Sequence, residues 1–312
     1  MHNTKNSPKV SVVIPSYNKK VELLACLKSV QNNYYPNLEV IIVLNGCVDG
    51  SESAVREQFP TYKTILIKEG LGSAEATNVG IKHVSKDSDY LFLLDDDTVL
   101  EAKTIYELVH AINDKKNYGA ACAKVVYYES PNTVQWAGAS VGLLTGINYM
   151  NSGPDDGRFD KSIDTEGGIG GTGIIKMNVV KKIGYYYDKA YYYYYEDPDY
   201  AMRIIKAGYK IRYVPTAKIL HRTPLLSKSE WKKRWFERAY WVARNKIIFM
   251  RKHSKFFPLF VLIYPAWLAL YTYQCIRYFS FRAMLNFYHG IIDGFRWSLF
   301  DYKYININKH EG

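Results

Sequence analysis

The chain has 312 residues, 48% of them hydrophobic, enough to bury one large core or two small ones. Its four scattered cysteines, Cys26, Cys47, Cys122 and Cys275, form no CxxC or zinc spacing, which excludes a disulfide framework and suits a reducing compartment. The net charge of +11 is concentrated: residues 225–312 carry 15 Lys/Arg against 5 Asp/Glu, whereas residues 1–224 carry 26 against 25. A near-neutral body with a basic, aromatic C-terminal third points to an anionic membrane surface before nucleic acid, which is not expected as a partner.

Residues 1–9 are polar, and no secretory leader is expected there. Residues 10–14 (VSVVI) are β-branched at four of five positions and end at Pro15, the pattern of a buried strand. Residues 19–32 carry Val21, Leu24, Leu27 and Val30 at helical spacing. A second strand is predicted over 38–44, followed by the turn residues of Asn45-Gly46-Cys47-Val48-Asp49-Gly50-Ser51. Helix over 51–59, strand over 64–67, helix over 73–84 and strand over 90–94 follow. Strands alternating with helices predict an α/β fold with a mainly parallel sheet. No Gly-rich fingerprint follows the first strand and no GxxxxGK[ST] occurs, so neither an NAD-type site nor a P-loop is expected.

Asp95, Asp96 and Asp97 come directly after the fourth strand, where open α/β sheets bind ligands. Three adjacent acids repel one another unless a cation or protons offset them, and Mg²⁺ is commonly held by carboxylates plus phosphates. Two readings stand at this point: a metal–diphosphate site, or an acidic cap on a helix over 101–113. Strands are predicted over 120–128 and 134–141, then a mobile Gly/Asp/Asn/Ser loop over 148–165. Gly167-Gly168-Ile169-Gly170-Gly171-Thr172-Gly173 either lets backbone approach a ligand or is a flexible turn.

A tyrosine-dense run over 185–195 leads into Glu196-Asp197-Pro198-Asp199. Asp197 before Pro198 reads as an N-cap of a helix to about Lys206, or as a general base. Strand over 210–214 and an apolar run over 217–221 end at His221, either a structural histidine or a metal ligand. One long basic amphipathic helix is predicted over 229–253. Residues 256–276 are 21 positions without a charge, long enough to cross a bilayer. Pro258, Pro265, Thr272 and Gln274 and basic flanks on both sides fit an in-plane or re-entrant anchor better than a simple span, with a buried core helix as the rival. A further amphipathic helix is expected over 281–300.

Taken in order, VSVVIPSYN, NGCVDGS, LLDDDTVL, GGIGGTG, YYEDPDYAMRIIKAGYKI and the later His221 resemble family 2 glycosyltransferases of the GT-A fold. The nearest look is to the rhamnosyltransferase and galactofuranosyltransferase branch, with Ala243-Arg244-Asn245 matching an ARN-like element before a hydrophobic C-terminus. The resemblance implies a GT-A catalytic domain over 1–225, its nucleotide-binding part about 8–115 and its acceptor part about 116–225. A basic, hydrophobic membrane-associating region would cover 226–312. Donor-binding residues would be Pro15, Tyr17, Asn45, Asp49, Asn78, Asp95 and Asp96. Asp95, Asp97 and His221 would hold Mn²⁺ or Mg²⁺. Asp197 would be the base, and Gly170, Gly171, Thr172 and Glu196 would lie on the acceptor side.

The implied activity is metal-dependent, inverting transfer from a nucleoside diphosphate sugar to a glycan or lipid-linked acceptor at the cytoplasmic face of the cell membrane. Two departures stand out. Leu44 sits where many relatives have Asp, which moves base recognition to Asn45 or backbone. Only Arg234-Trp235 remains of QxxRW, so transfer of one or a few sugars is expected. The rival readings are a nucleotidyltransferase-like enzyme, against which Pro15-Ser16-Tyr17-Asn18 stands in place of a Gly-rich basic loop, and a non-catalytic scaffold binding membrane or nucleic acid.

Overall fold

The computed structural model describes residues 7–186, 190–191 and 194–300. The predicted tyrosine run lies partly outside the described residues, as do the two ends of the predicted domains. The first half runs β1 (Val10–Ser16), α1 (Lys20–Gln31), β2 (Leu38–Asn45), α2 (Ser51–Gln58), β3 (Lys63–Ile67), α3 (Ser73–Lys82), β4 (Tyr90–Leu94), β5 (Thr98–Leu100) and α4 (Thr104–Ile112). The middle runs β6 (Tyr118–Tyr127), β7 (Thr133–Trp136), β8 (Ala139–Gly142), β9 (Ile147–Met150), β10 (Gly153–Pro154), β11 (Asp164–Thr165), β12 (Thr172–Lys176), α5 (Met177–Ile183), α6 (Glu196–Lys206) and β13 (Lys210–His221). Four helices follow: α7 (Lys228–Glu237), α8 (Ala239–His253), α9 (Phe257–Arg277) and α10 (Phe281–Phe300).

The chain divides into two compact units. The first comprises Met1–Ser140, Tyr149–Tyr187 and Glu196–Leu225, and the second Val141–Asn148, Asp188–Tyr195 and Leu226–Gly312.

In the first unit one sheet takes the order β10-β7-β6-β12-β4-β1-β2-β3, with β13 beside β6 and paired also to β5 and β11. Strands β3, β2, β1 and β4 are parallel. β12 enters antiparallel between β4 and β6. Val10, Val12, Val13 and Ile14 of β1 are all fully buried, as expected for a strand covered on both faces. Val12 and Ile14 join one core cluster and Val13 the opposite one, following the two-residue side-chain alternation. The chain leaves β1 toward β2 on one side and has β4 on the other. That reversal of strand order is the switch point at which open sheets bind ligands.

Several elements differ from their sequence-predicted form. The triple Asp does not cap a helix: Thr98–Leu100 forms strand β5, paired antiparallel with Ile219–His221, and α4 starts only at Thr104. The strand expected over 134–141 breaks at Gly138, whose φ is +93°. The loop over 148–165 contains β9, β10 and β11 and is pinned, because buried Lys124 donates to Asp155 at 2.9 Å and Asp160 at 2.6 Å. The helix expected over 229–253 is two helices meeting at Arg238, which has non-helical ψ 8° and donates to the Tyr194 hydroxyl.

In the second unit α10 lies against α8 at glycines. A Cβ on Gly290 would lie 2.3 Å from the Tyr240 carbonyl oxygen, and one on Gly294 2.9 Å from that of Arg244. Among the described residues α9 is the one helix long and apolar enough to cross a membrane, and only 22% of its apolar window is buried.

Helix α3 also approaches the sheet through a glycine. A Cβ on Gly80 would sit 2.4 Å from Val13 Cγ1 and 3.0 Å from Val43 Cγ2, both of them fully buried side chains. Gly80→Ala should therefore destabilise the protein by about 1–3 kcal/mol, despite alanine's better helix propensity. Urea denaturation checks this; an unchanged or raised midpoint would show that the helix can move off the sheet freely.

Candidate active site

The loops after β1 and β4 meet at the switch point. Lys19, just before α1, sends its amine to Asp97 Oδ2 at 2.8 Å and to Asp96 Oδ1 at 3.3 Å. The Asp95 carbonyl accepts from the Thr98 hydroxyl at 2.7 Å, turning the acids back toward β5. Burial and the neighbouring Asp97 charge push the Asp95 carboxyl up to about 6. Burial would also raise Asp97, but His221 and Lys19 outweigh it and hold Asp97 well below the usual carboxylate range. Lys19 carries no motif of its own in the sequence; only its place three residues past the first strand marks it.

β13 delivers His221. Its pairing sets His221 opposite Thr98, so the imidazole Nε2 lies 3.1 Å from Asp97 Oδ1. The other nitrogen, Nδ1, is 2.8 Å from Gln135 Oε1. A carbonyl oxygen and an ionised carboxylate can only accept, so Nδ1 donates to Gln135 and Nε2 donates to Asp97, the ring being an imidazolium until a cation replaces the Nε2 proton. Burial would lower the His221 pKa, but Asp97 raises it. Gln135 escapes sequence reading because it reaches the site only through the β7–β6–β13 pairings.

One donor atom from each of Asp95, Asp97 and His221 lies within 4.8 Å of the others. Two carboxylates and one imidazole suit Mn²⁺ or a similar divalent cation, and the raised Asp95 is a charge conflict that a cation would relieve. The residues therefore fit the metal that the sequence implies.

The glycine-rich loop closes over these acids. Gly171 has φ +74°, and a Cβ there would lie 2.1 Å from Asp95 Oδ2. Its carbonyl accepts from the Asp95 N–H, while Thr172 starts β12 beside Leu94. Asp197 neither caps α6 nor stands free. Its Oδ1 accepts from the N–H groups of Ile169 (2.9 Å) and Gly170 (2.7 Å), and its Oδ2 from Gly168 (3.2 Å). Burial raises its pKa, opposed by those three N–H donors. Glu196 is half-buried, but its Oε2 atom is fully buried with no hydrogen-bond partner, and desolvation pushes the carboxyl up to about 7. Asp97, Asp197 and His221 thus belong to one region, linked through Asp95, Gly171 and Gly170.

The predicted donor residues fall into two groups. Tyr17 is 59% exposed, and Pro15 stands just before it at the end of β1. Asn45 is instead committed to the backbone: its Nδ2 donates to Leu71 O at 2.7 Å and its Oδ1 accepts from Leu71 N–H at 2.8 Å. Asp49 is similarly engaged, by the N–H groups of Lys20 and Ser51. Both side chains shape the loops around the β1–β2 strand ends. Asn78 is buried on α3.

Residues 11–184 match the profile of Glycosyl transferase family 2. The chain belongs to that family. It is 29% identical over 267 residues to "Probable glycosyltransferase YdaM" of Bacillus subtilis, covering 82% of this chain and 60% of the relative. It is 23% identical over 278 residues to the poly-beta-1,6-N-acetyl-D-glucosamine synthase of Staphylococcus aureus, covering 86% and 64%. The chain thus spans about three fifths of the length of these curated relatives. The solved mannosyltransferase PcManGT of Pyrobaculum calidifontis, in complex with GDP-Man and Mn²⁺, superposes with a TM-score of 0.54 at 17% identity, covering 96% of this chain and 89% of that one. GalNAc-T7 with UDP, GalNAc and Mn²⁺ gives 0.59 at 14% identity, covering 78% and 51%. The fold of this family 2 chain is therefore GT-A.

If Gln135 fixes the ring of His221, Gln135→Leu should weaken Mn²⁺ binding by about 10–100-fold, the usual effect of losing the partner of a ligating histidine. Calorimetric titration with Mn²⁺ reads this directly; wild-type affinity in the variant would remove Gln135 from the site.

Proposed function

We propose that this chain is a metal-dependent, inverting glycosyltransferase acting on a nucleoside diphosphate sugar, with a glycan or lipid-linked acceptor at the cytoplasmic face of a membrane. The meeting of Asp95, Asp97 and His221 beneath a glycine loop tied to Asp197 carries this reading. Family membership supports the reaction class, and structural relatives holding UDP or GDP-Man with Mn²⁺ support the donor class and the cation. The outward apolar side chains of α9, among them Leu259, Leu262 and Leu270, support membrane association.

Asp95, Asp97 and His221 would hold the divalent cation, whose charge, once bound, offsets that of the departing diphosphate. Tyr17 offers an exposed ring face to the nucleobase. Asp96 is held by Lys19 and anchors the loop on the donor side. Gly170, Gly171 and Thr172 bring backbone close to the sugar and acceptor. Asp197 takes the acceptor proton through Oδ2, the oxygen with a single, longer hydrogen bond, as the hydroxyl attacks the anomeric carbon from the face opposite the leaving group. A second reading gives that proton to Glu196, because its Oε2 is buried without a partner beside Asp197.

Three variants separate these roles. Asp97→Asn should abolish turnover with the fold retained, and its undiminished activity with and without chelator would sink the metal mechanism. Asp197→Asn should lower kcat by about 10²–10⁴-fold while donor binding persists, and Glu196→Gln should change it only a few-fold. The opposite ranking moves the base to Glu196.

The pH profile gives an independent check. A base must be deprotonated, so activity should rise with pH and fall on acidification. With Asp197 raised by burial, the fall should lie above the ordinary carboxylate range. A midpoint near 7 that Glu196→Gln abolishes would assign the base to Glu196.

A further inference from the structure

The C-terminal unit encloses a partly open cavity of about 160 Å³ among α7, α8, α9 and α10. This is several times the ~30 Å³ share of one water molecule. Its walls are mainly aromatic: Trp235, Tyr264, Trp267, Tyr271 and Phe287. The Tyr271 ring stacks on Phe287 at 3.8 Å and meets Trp235 at 4.5 Å, which fixes one wall.

Lys246 is the exception on this surface. Its residue is only 9% exposed, and its amine stands 4.0 Å from the Trp267 ring centre. Its stem runs under the turn at Gly146, where an added Cβ would lie 3.2 Å from Lys246 Cγ. No carboxylate pairs with this amine among the described residues, and burial alone brings it down to about 8. The Tyr271 hydroxyl is buried with no oxygen or nitrogen partner, only the Cys275 thiol nearby. An amine and a hydroxyl, both donors, thus line a cavity otherwise built from rings. Buried ammonium groups are normally paired, because leaving one alone in an apolar site is costly.

We propose that this cavity binds a lipid phosphate, with Lys246 and Tyr271 meeting the acidic head and the aromatic wall meeting the start of the hydrocarbon chain. A free inorganic anion satisfies the amine but leaves the rings uncovered; a neutral alkyl chain does the reverse. Lipid is also the ligand at hand, since Leu262, Leu270, Tyr273 and Ile276 of α9 are exposed. The site does not depend on the transfer reaction and is testable without it.

The test uses the full chain in neutral maltoside detergent and follows acetylation of Lys246 by mass spectrometry. Dodecyl phosphate at ten times its Kd should slow that acetylation about tenfold, while dodecanol and inorganic phosphate leave it unchanged. In Lys246→Met the tryptophan emission response to dodecyl phosphate should weaken by about tenfold or more, with the response to dodecanol kept as the sign of an intact cavity. Given protection by dodecyl phosphate, protection by phosphatidic acid vesicles assigns the bilayer as the source, and protection by farnesyl phosphate but not by those vesicles assigns a prenyl lipid; either supports the site. Equal protection by dodecanol, protection by inorganic phosphate alone, or no protection by dodecyl phosphate overturns it. Because the acetylation assay uses wild-type protein, it decides the matter even if the variant misfolds.

Discussion

Two negative charges held side by side at the end of a buried strand set the terms for the rest of the catalytic unit. Asp95 and Asp97 would repel each other strongly in such surroundings. The fold answers from two sides. The loop after β1 supplies the Lys19 amine, and the last residue of β13 supplies His221. Both reach Asp97, so it stays ionised, while Asp95, with no direct ion pair among the described residues, is pushed up to about 6. Neighbouring carboxylates therefore differ in character because different strands deliver their partners.

The same principle separates Glu196 from Asp197. These residues are adjacent in sequence and both half-buried, yet Asp197 receives three backbone N–H groups and Glu196 Oε2 receives none. Environment, not residue type, divides roles between such pairs. The glycines make this possible. Gly168 and Gly171 have φ of +83° and +74°, and side chains there would collide with Trp136 and Asp95. A loop of other residues could not turn three successive N–H groups toward one carboxylate while lying against another.

Local signals in the sequence carried the first half of the sheet. β1, β2 and β4 are short β-branched or apolar runs whose burial on both faces leaves little ambiguity, and the acids at the end of β4 occupy the switch point. What local patterns missed came from distant pairing. Residues 98–100 form a strand because β13 offers them an edge more than a hundred positions away. β12 is hidden by Gly173 within it and the glycines just before it, although it fills the gap between β4 and β6. Lys19 and Gln135 have unremarkable neighbours in sequence and gain their roles only from that topology. Asn45 and Asp49 show the converse. Their polar atoms bond backbone groups, which holds the loops around the strand ends in shape. Asp197 was ambiguous between cap and base because both use a carboxylate near a helix start; the amides it binds come from another loop.

The partners of Asp97 also explain how this cluster is held together by the polypeptide alone. Small zinc domains fold only when metal joins their ligands, because nothing else offsets the ligand charges. Here an ammonium and an imidazole already occupy both oxygens of Asp97, at 2.8 Å and 3.1 Å. The strand pairing that carries His221 and the hydrogen bonds that orient Asp197 are made wholly within the polypeptide. A cation would have to displace the Lys19 and His221 contacts to Asp97, while relieving the charge conflict left on Asp95. Its affinity is then set by the difference between those interactions and its own.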